Sequence, residues 1–421
     1  MRFLIAAARR IRKSWRAPRR FRAWSPISKV VLAGYALMLC LNSFIGYFPA
    51  RFRMKNEKFI FSKPMAVYCI AVATIFGAFY VKHIWEEFTS GKIDQRDAIK
   101  IYCYMNACGG LLNYLYQWTM CRQIVDLLNK MSLFRVINYF SVSVMSMIRA
   151  MTIVLVKIFG FPLVMQLTLV LYQRQKHPEL SWTNTSRTML PIISVSHLNN
   201  CFFCSVVISR AIFNHINKII SEILSEVNRL QTPSQMTLHK PYYRMQRFCD
   251  LADRLDELAT KYALVNLYCL NHMKVTCFSL VISMGINLFS TTLGCYVQYQ
   301  AFVDYVMLEK PYDISQALAH FVFLALPFLE IVLLANESQQ LLNEAKEAGN
   351  LLQRMNLEHA DIRFKQEVDA FWLEVCTIQF KLMPLGLLEL DGSMVNKMYT
   401  TVAGFLLFLI QNDLTVRFSL K

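Results

Sequence analysis

Thr400, Gly404, Leu407 and Gln411 follow one another at spacings of 4, 3 and 4 near the end of a 421-residue chain. On a helix that spacing draws a single stripe. The chemistry open to it is not catalysis. Small and polar groups on an otherwise apolar helix must face protein or water, because hydrocarbon leaves their polar atoms unsatisfied. A helix-packing seam and the wall of a pore both meet that demand. Asn412 extends the polar end of the stripe, Glu389 and Asp391 precede its helix, and Asp413 follows it. Repeated by subunit symmetry, these three carboxylates form acidic rings, which favour cations.

A second set of polar and aromatic residues lies inside other apolar runs: Gln166 and Tyr172; His197, Asn199 and Asn200; Thr291, Thr292 and Tyr296; His320 and Phe323. With the first span leading outward, all of them fall in outer halves, where they can line one outward-facing ligand pocket. The plainer account is interhelical hydrogen bonding, worth about 0.6 kcal/mol per pair. Lys157 and Glu330 also lie within spans, where a charge costs about 2.5–3.5 kcal/mol at the centre. They can pair, or each can reach the cytosolic face alone. Cys201-Phe-Phe-Cys204 has metal-like spacing but lacks nearby partners. Nucleotide-, phosphate- and zinc-binding motifs and the nucleophile elbow are absent from the sequence, and the eight histidines are dispersed. No enzyme, cofactor or metal is expected.

The elements that position these residues follow from composition. A chain 55% hydrophobic with positive mean hydropathy is an integral membrane protein. Its net charge of +17 sits in the segments between apolar runs, which orients spans and argues against a nucleic-acid partner. Few glycines and prolines and no strand-like alternation predict an all-α fold. The twelve cysteines, mostly within apolar runs, draw no disulfide framework.

Residues 1–63 read as a basic cytosolic N-terminus followed by an interfacial or re-entrant segment, 30–48. If that segment crossed, the charged loop with Arg51, Arg53, Lys55, Lys58 and Lys63 would lie outside, against the positive-inside rule. Spans are expected at 64–82, 98–120, 149–172, 188–213, 276–299, 315–335 and 385–411, so 64–213 and 276–335 hold six of them. Seven spans leave a short extracellular tail, 412–421. The sequon at Asn184 then falls outside, where it can carry a glycan, and the one at Asn336 falls inside.

Cytosolic segments 214–275 and 336–384 carry amphipathic stripes: Ile216, Ile219, Ile223, Val227 and Leu230; Phe248, Leu251, Leu255, Leu258, Tyr262 and Val265; and the runs 341–355 and 364–382. Such stripes predict a cytosolic helical bundle.

The last stretch also resembles the C-terminus of the insect gustatory receptors, of the insect chemoreceptor superfamily. There a Gly-Leu-Phe-Glu-like segment leads into a final span ending Thr-Tyr, five apolar residues, Gln-Phe. Here Gly386-Leu387-Leu388-Glu389-Leu390-Asp391 leads in, and the signature reads Gly404-Phe405, Leu406 to Ile410, Gln411-Asn412. The glutamine and the apolar block are kept; Gly404, Phe405 and Asn412 depart. The resemblance implies a seven-helix taste receptor in the plasma membrane of a sensory neuron. It further implies a ligand-gated cation channel, homo- or heterotetrameric through the cytosolic bundle. A small-molecule tastant would bind at the outer ends of spans two to six, with a gate at Gln411 and Asn412. A G-protein-coupled receptor is the main alternative and a secondary transporter the next. The first sits poorly with the basic N-terminus and with the missing Asp-Arg-Tyr and Asn-Pro-x-x-Tyr motifs; the second would show two related halves with broken helices.

Overall fold

The computed structural model describes residues 26–53, 58–90, 97–130, 144–176, 182–238, 241–308, 311–378 and 380–419. The basic segment before residue 26 and part of the 412–421 tail lie outside them. Helix α1 (Pro26–Ile45) is followed by a hairpin of β1 (Ala50–Arg53) and β2 (Lys58–Phe61), then by α2 (Lys63–Thr89), α3 (Ala98–Thr119) and α4 (Cys121–Lys130). Next come α5 (Val144–Leu155) and α6 (Phe161–Lys176), α7 (Trp182–Leu230), α8 (Pro233–Leu238) and α9 (Pro241–Leu308). Last are α10 (Ile314–Gln353), α11 (Ile362–Thr377) and α12 (Gly392–Ser419).

Five of these helices (α2, α7, α9, α10 and α12), and the continuous run of α5 into α6, are long and apolar enough to cross a membrane. The expected second span, α3, is the least apolar, and packing explains why. Its residues Asn106, Asn113 and Gln117 are buried among other helices, so it needs little lipid-facing surface. Gly109 and Gly110 let it approach α9 and α2 closely; a Cβ on Gly109 would stand 2.7 Å from Ile286.

Spans four, five and six do not stop at the membrane. α7, α9 and α10 run unbroken for 49, 68 and 40 residues, about 75, 100 and 60 Å at 1.5 Å per residue. Sequence patterning divides each of the three into a span and a separate amphipathic helix. No glycine or proline stands at those junctions, so nothing ends the helix there.

Beyond the spans, the four amphipathic stripes meet in one core. Ile216, Ile223, Val227, Phe248, Leu251, Leu255, Leu258, Tyr262, Leu341, Leu352, Phe364, Val368 and Phe371 are all buried in it. The fourth element is shorter than the 364–382 pattern: α11 ends at Thr377, and Phe380 and Leu382 reach the same core from extended chain.

α1 and the hairpin form an in-and-back unit. Gly34 lies beside Met151 of α5, and the Tyr47 hydroxyl bonds Ser194 of α7 at 2.7 Å. Between them Gly46 takes a left-handed φ of 87° against Val72, a turn that admits no Cβ. The returning strands pair Ala50 with Phe61 and Arg53 with Lys58. This hairpin is the one β-sheet among the described residues. Asn129 of α4 bonds both backbone groups of Phe59, at 2.7 and 2.9 Å.

Candidate functional site

The span region holds a mostly apolar cluster, with Tyr102, Tyr172 and Phe323 in it, at the end away from the bundle. Tyr102 of α3, Met165, Leu169 and Tyr172 of α6, Met189 and Ile192 of α7, Ile286 of α9, and Ala319 and Phe323 of α10 pack together. Tyr102 donates to Asn287 at 3.2 Å, and Gln166 donates to Thr185 at 2.9 Å. Below this cluster lie two small cavities of about 20 Å³, each with room for about one water. Both are lined by Ser283, Asn287 and Glu330.

A π-helical turn, Val156–Gly160, explains how Lys157 comes to line the deeper one. Pro162 cannot donate a backbone hydrogen bond and its ring crowds the preceding turn, so the helix widens there. Lys157 thereby turns inward, 3% exposed. It donates to Asn200 and lies 5.0 Å from the Phe203 ring. The pairing with Glu330 allowed by the sequence is replaced by this one, although both residues line the same cavity.

The expected pocket residues divide into three groups. Tyr172 and Phe323 belong to the outer cluster, and Gln166 bonds Thr185 at the start of α7. His320 pairs with Gln298 at 3.1 Å, and Tyr296 accepts from Gln300 at 3.0 Å, nearer the ends of α10 and α9. Asn199 lines the deeper cavity, while His197 faces the other side of α7, toward the backbone of Met38 and the thiol of Cys201. Tyr102, Asn106, Ser283 and Asn287 are absent from the sequence-based set. A signal existed on α3: Tyr102, Asn106, Asn113 and Gln117 recur at 4, 7 and 4, a polar stripe on one face.

The last helix presents the opposite situation. α12 runs Gly392–Ser419, so it begins later and ends later than the 385–411 span. Ahead of it, Pro384–Gly386 forms a short turn with Leu385 at φ 52°. One face of α12, through Met394, Met398, Val402, Leu406, Leu409, Ile410, Asp413 and Arg417, is at least partly covered by its own chain. Thr400, Gly404, Leu407, Gln411 and Asn412 are all exposed, and no atom lies within 4 Å of a Cβ built on Gly404.

The acidic residues have local work. Asp391 accepts from the Ser393 hydroxyl at 2.6 Å and from the amides of Ser393 and Met394 at the start of α12. Those bonds hold its carboxyl below the ordinary range. Asp413 accepts from Arg417 at 2.8 Å, and Arg417 also reaches Asp304 of α9 at 3.2 Å. Glu389 is half-buried just before the helix. Among the described residues no three His, Cys, Asp or Glu side chains group as metal ligands.

The architecture is that of a polytopic helical membrane protein. The profile of the 7tm chemosensory receptor family matches residues 35–416, and the chain belongs to that family. It is 47% identical over 425 residues to putative gustatory receptor 97a of Drosophila melanogaster, covering 100% of each chain. It is 34% identical over 386 residues to putative gustatory receptor 94a of the same organism, covering 91% of this chain and 96% of that one. In fold it is similar to the insect olfactory receptor OR5 from Machilis hrabei, solved in complex with eugenol. The TM-score is 0.55 at 12% identity, over 91% of this chain and 99% of that one. This chain is accordingly an insect-type chemoreceptor and not an enzyme.

Proposed function

We propose that the chain is one subunit of a ligand-gated cation channel for taste, a homo- or heterotetramer in the plasma membrane of a sensory neuron. The observation that carries this reading is the α12 stripe, Thr400–Gly404–Leu407–Gln411, left uncovered by its own chain while the opposite face is packed. Four copies around an axis let Gln411 and Asn412 bond one another or water, which a lipid-facing position does not. Asn412 at the outer mouth is a polar gate residue, and the apolar seal falls to Leu407 or Phe408.

A small-molecule tastant enters the outer cluster around Tyr102, Tyr172 and Phe323. A fold relative solved with eugenol supports a ligand of that size. The cluster is nearly closed, so binding parts α3, α6, α7 and α10. The resulting shift passes along α9 to α12 through Arg417 and Asp304. Purified protein in a planar bilayer, with no G protein present, conducts cations when exposed to its tastant. No current under those conditions, with signalling restored by a G protein in cells, sinks the channel reading.

The N-terminus is cytosolic and Asn184 carries the glycan. Asn184 lies in the first turn of α7, at the end away from the bundle, whereas Asn336 of α10 lies at the bundle end. In microsomes, Asn184→Gln removes the glycan shift and Asn336→Gln leaves it. The reverse pattern inverts the orientation.

A further inference from the structure

A further cavity lies apart from the outer cluster. It measures about 170 Å³ and lies between α1, α5, α7 and α9, toward the bundle end, where Phe48, Ile124 and Leu128 close it. It shares no lining residue with the two small cavities. Its walls are mostly aliphatic, from Leu39, Met147, Met151, Val154 and Ile208 among others.

Polar side chains interrupt those walls, among them Asn42, Gln117, Ser205 and His272, each from a different helix. Gln117, Ser205 and His272 are 3%, 1% and 7% exposed. The Asn42 Oδ1, Gln117 Nε2, Ser205 Oγ and His272 Nδ1 atoms have no protein hydrogen-bond partner among the described residues. Buried polar atoms are normally paired, and one left alone calls for an explanation. Here all four belong to residues that line one cavity.

We propose that this cavity is a second ligand site, for a compact neutral amphiphile of about ten non-hydrogen atoms with one or two hydroxyl or carbonyl groups. Volume sets the size: a cavity of about 150 Å³ holds benzene, so a sterol or a two-chain lipid does not fit. The lining sets the charge: among the described residues it contains no Lys, Arg, Asp or Glu. The polar atoms set the functional group. Gln117 Nε2 donates, Asn42 Oδ1 accepts, Ser205 does either, and His272 Nδ1 follows its tautomer. A saturated acyl tail would leave all four unpaired.

Exposed Leu37, Leu155 and Phe159 rim the cavity, so its mouth opens on the lipid-facing surface between α1 and α5. An amphiphile dissolved in the bilayer enters without crossing water. Inside, it touches α9 through Tyr268, His272, Val275 and Thr276, just where that helix passes from the spans into the bundle. It can therefore bias the same helix that the outer cluster moves, from the other side of the membrane.

The test uses the full-length protein in phosphatidylcholine nanodiscs. The probes are a seven-carbon primary alcohol bearing an alkyl diazirine, ten non-hydrogen atoms in all, and its hydroxyl-free alkane counterpart. Photolysis and peptide mapping should place the alcohol on residues 147–159 and 198–208, with excess 1-heptanol competing. Ser205→Ala and Gln117→Leu, which remove a polar atom with little change of shape, should each lower alcohol labelling about five-fold, the loss of one hydrogen bond. Alkane labelling should stay unchanged in both. Met151→Trp, which fills the cavity, should lose both labels while the protein keeps its elution volume. Equal, non-competed labelling by both probes would make the cavity a groove for lipid tails. Alcohol labelling indifferent to Ser205→Ala and Gln117→Leu, or no labelling, would equally overturn the proposal.

Discussion

The bundle and the last helix are built from similar residues and solved in opposite ways. In the bundle, every apolar stripe finds its partner within the same chain: Leu255, Leu341 and Phe364 are all 0% exposed. On α12, Tyr399, Phe405, Leu407 and Phe408 are 67, 57, 60 and 66% exposed, and only Met394 and Met398 are buried. The bundle is complete in one subunit; α12 is not. Part of its apolar surface is at home in lipid, but the stripe with Gln411 is not. The difference points to other copies of the chain, and it can be broken or sharpened from either side.

The largest effect is expected in the bundle. Leu255→Asp together with Leu258→Asp places two charges in a dry core, a loss well beyond about 4 kcal/mol. The bundle should unfold and oligomers vanish on native gels, while membrane insertion persists. Intact oligomers with both residues replaced would mean the bundle does not hold subunits together.

A middle effect belongs to the ion pair that ties α12 to α9. Arg417→Gln leaves Asp304 and Asp413 facing each other without their shared cation, a loss of about 2 kcal/mol. Thermal unfolding in detergent should fall by a few degrees, and tastant potency should shift. An unchanged melting point and an unchanged dose response would remove the tie from the gating path.

The smallest effect on the chain itself is Gly404→Ala. Nothing stands near its Cβ, and alanine favours a helix over glycine by about 1 kcal/mol, so the isolated subunit should be as stable or slightly more so. A change in single-channel conductance then reports a face that lines the conduction path. A loss of tetramer with no change in monomer stability reports a seam.

What the sequence disclosed tracks this same contrast. The bundle stripes were legible because heptad-like spacing survives whatever lies beyond it, and Leu255 or Phe371 has one reason to be apolar. The family was legible from Gln411 and its five-residue apolar block. The outer cluster was legible in part. Tyr172 and Phe323 stand out as aromatic residues in spans, but Asn287 and Tyr102 acquire meaning only when α3 and α9 are brought together. Lys157 pairs with Asn200 rather than Glu330 because of a π-turn forced by Pro162, a local event that periodicity does not report. Continuity of α7, α9 and α10 was hidden for a plainer reason. A change from apolar to amphipathic surface resembles a boundary, although the backbone has no cause to break. The acidic rings meet a similar limit, since Asp391 and Asp413 are engaged by Ser393 and Arg417, neighbours whose geometry is set only in the folded chain.

The uncovered face of α12 is expected to meet water in the assembled receptor. Cysteine placed singly at positions 404, 407, 411, 406 and 409 and exposed to a charged, membrane-impermeant thiol reagent during current recording tests it most directly. Cysteine at 404, 407 and 411 should react and block current, and cysteine at 406 and 409, which the subunit partly covers, should not. Equal reaction on both faces, or block confined to 406 and 409, would make the stripe a packing seam and put the pore elsewhere.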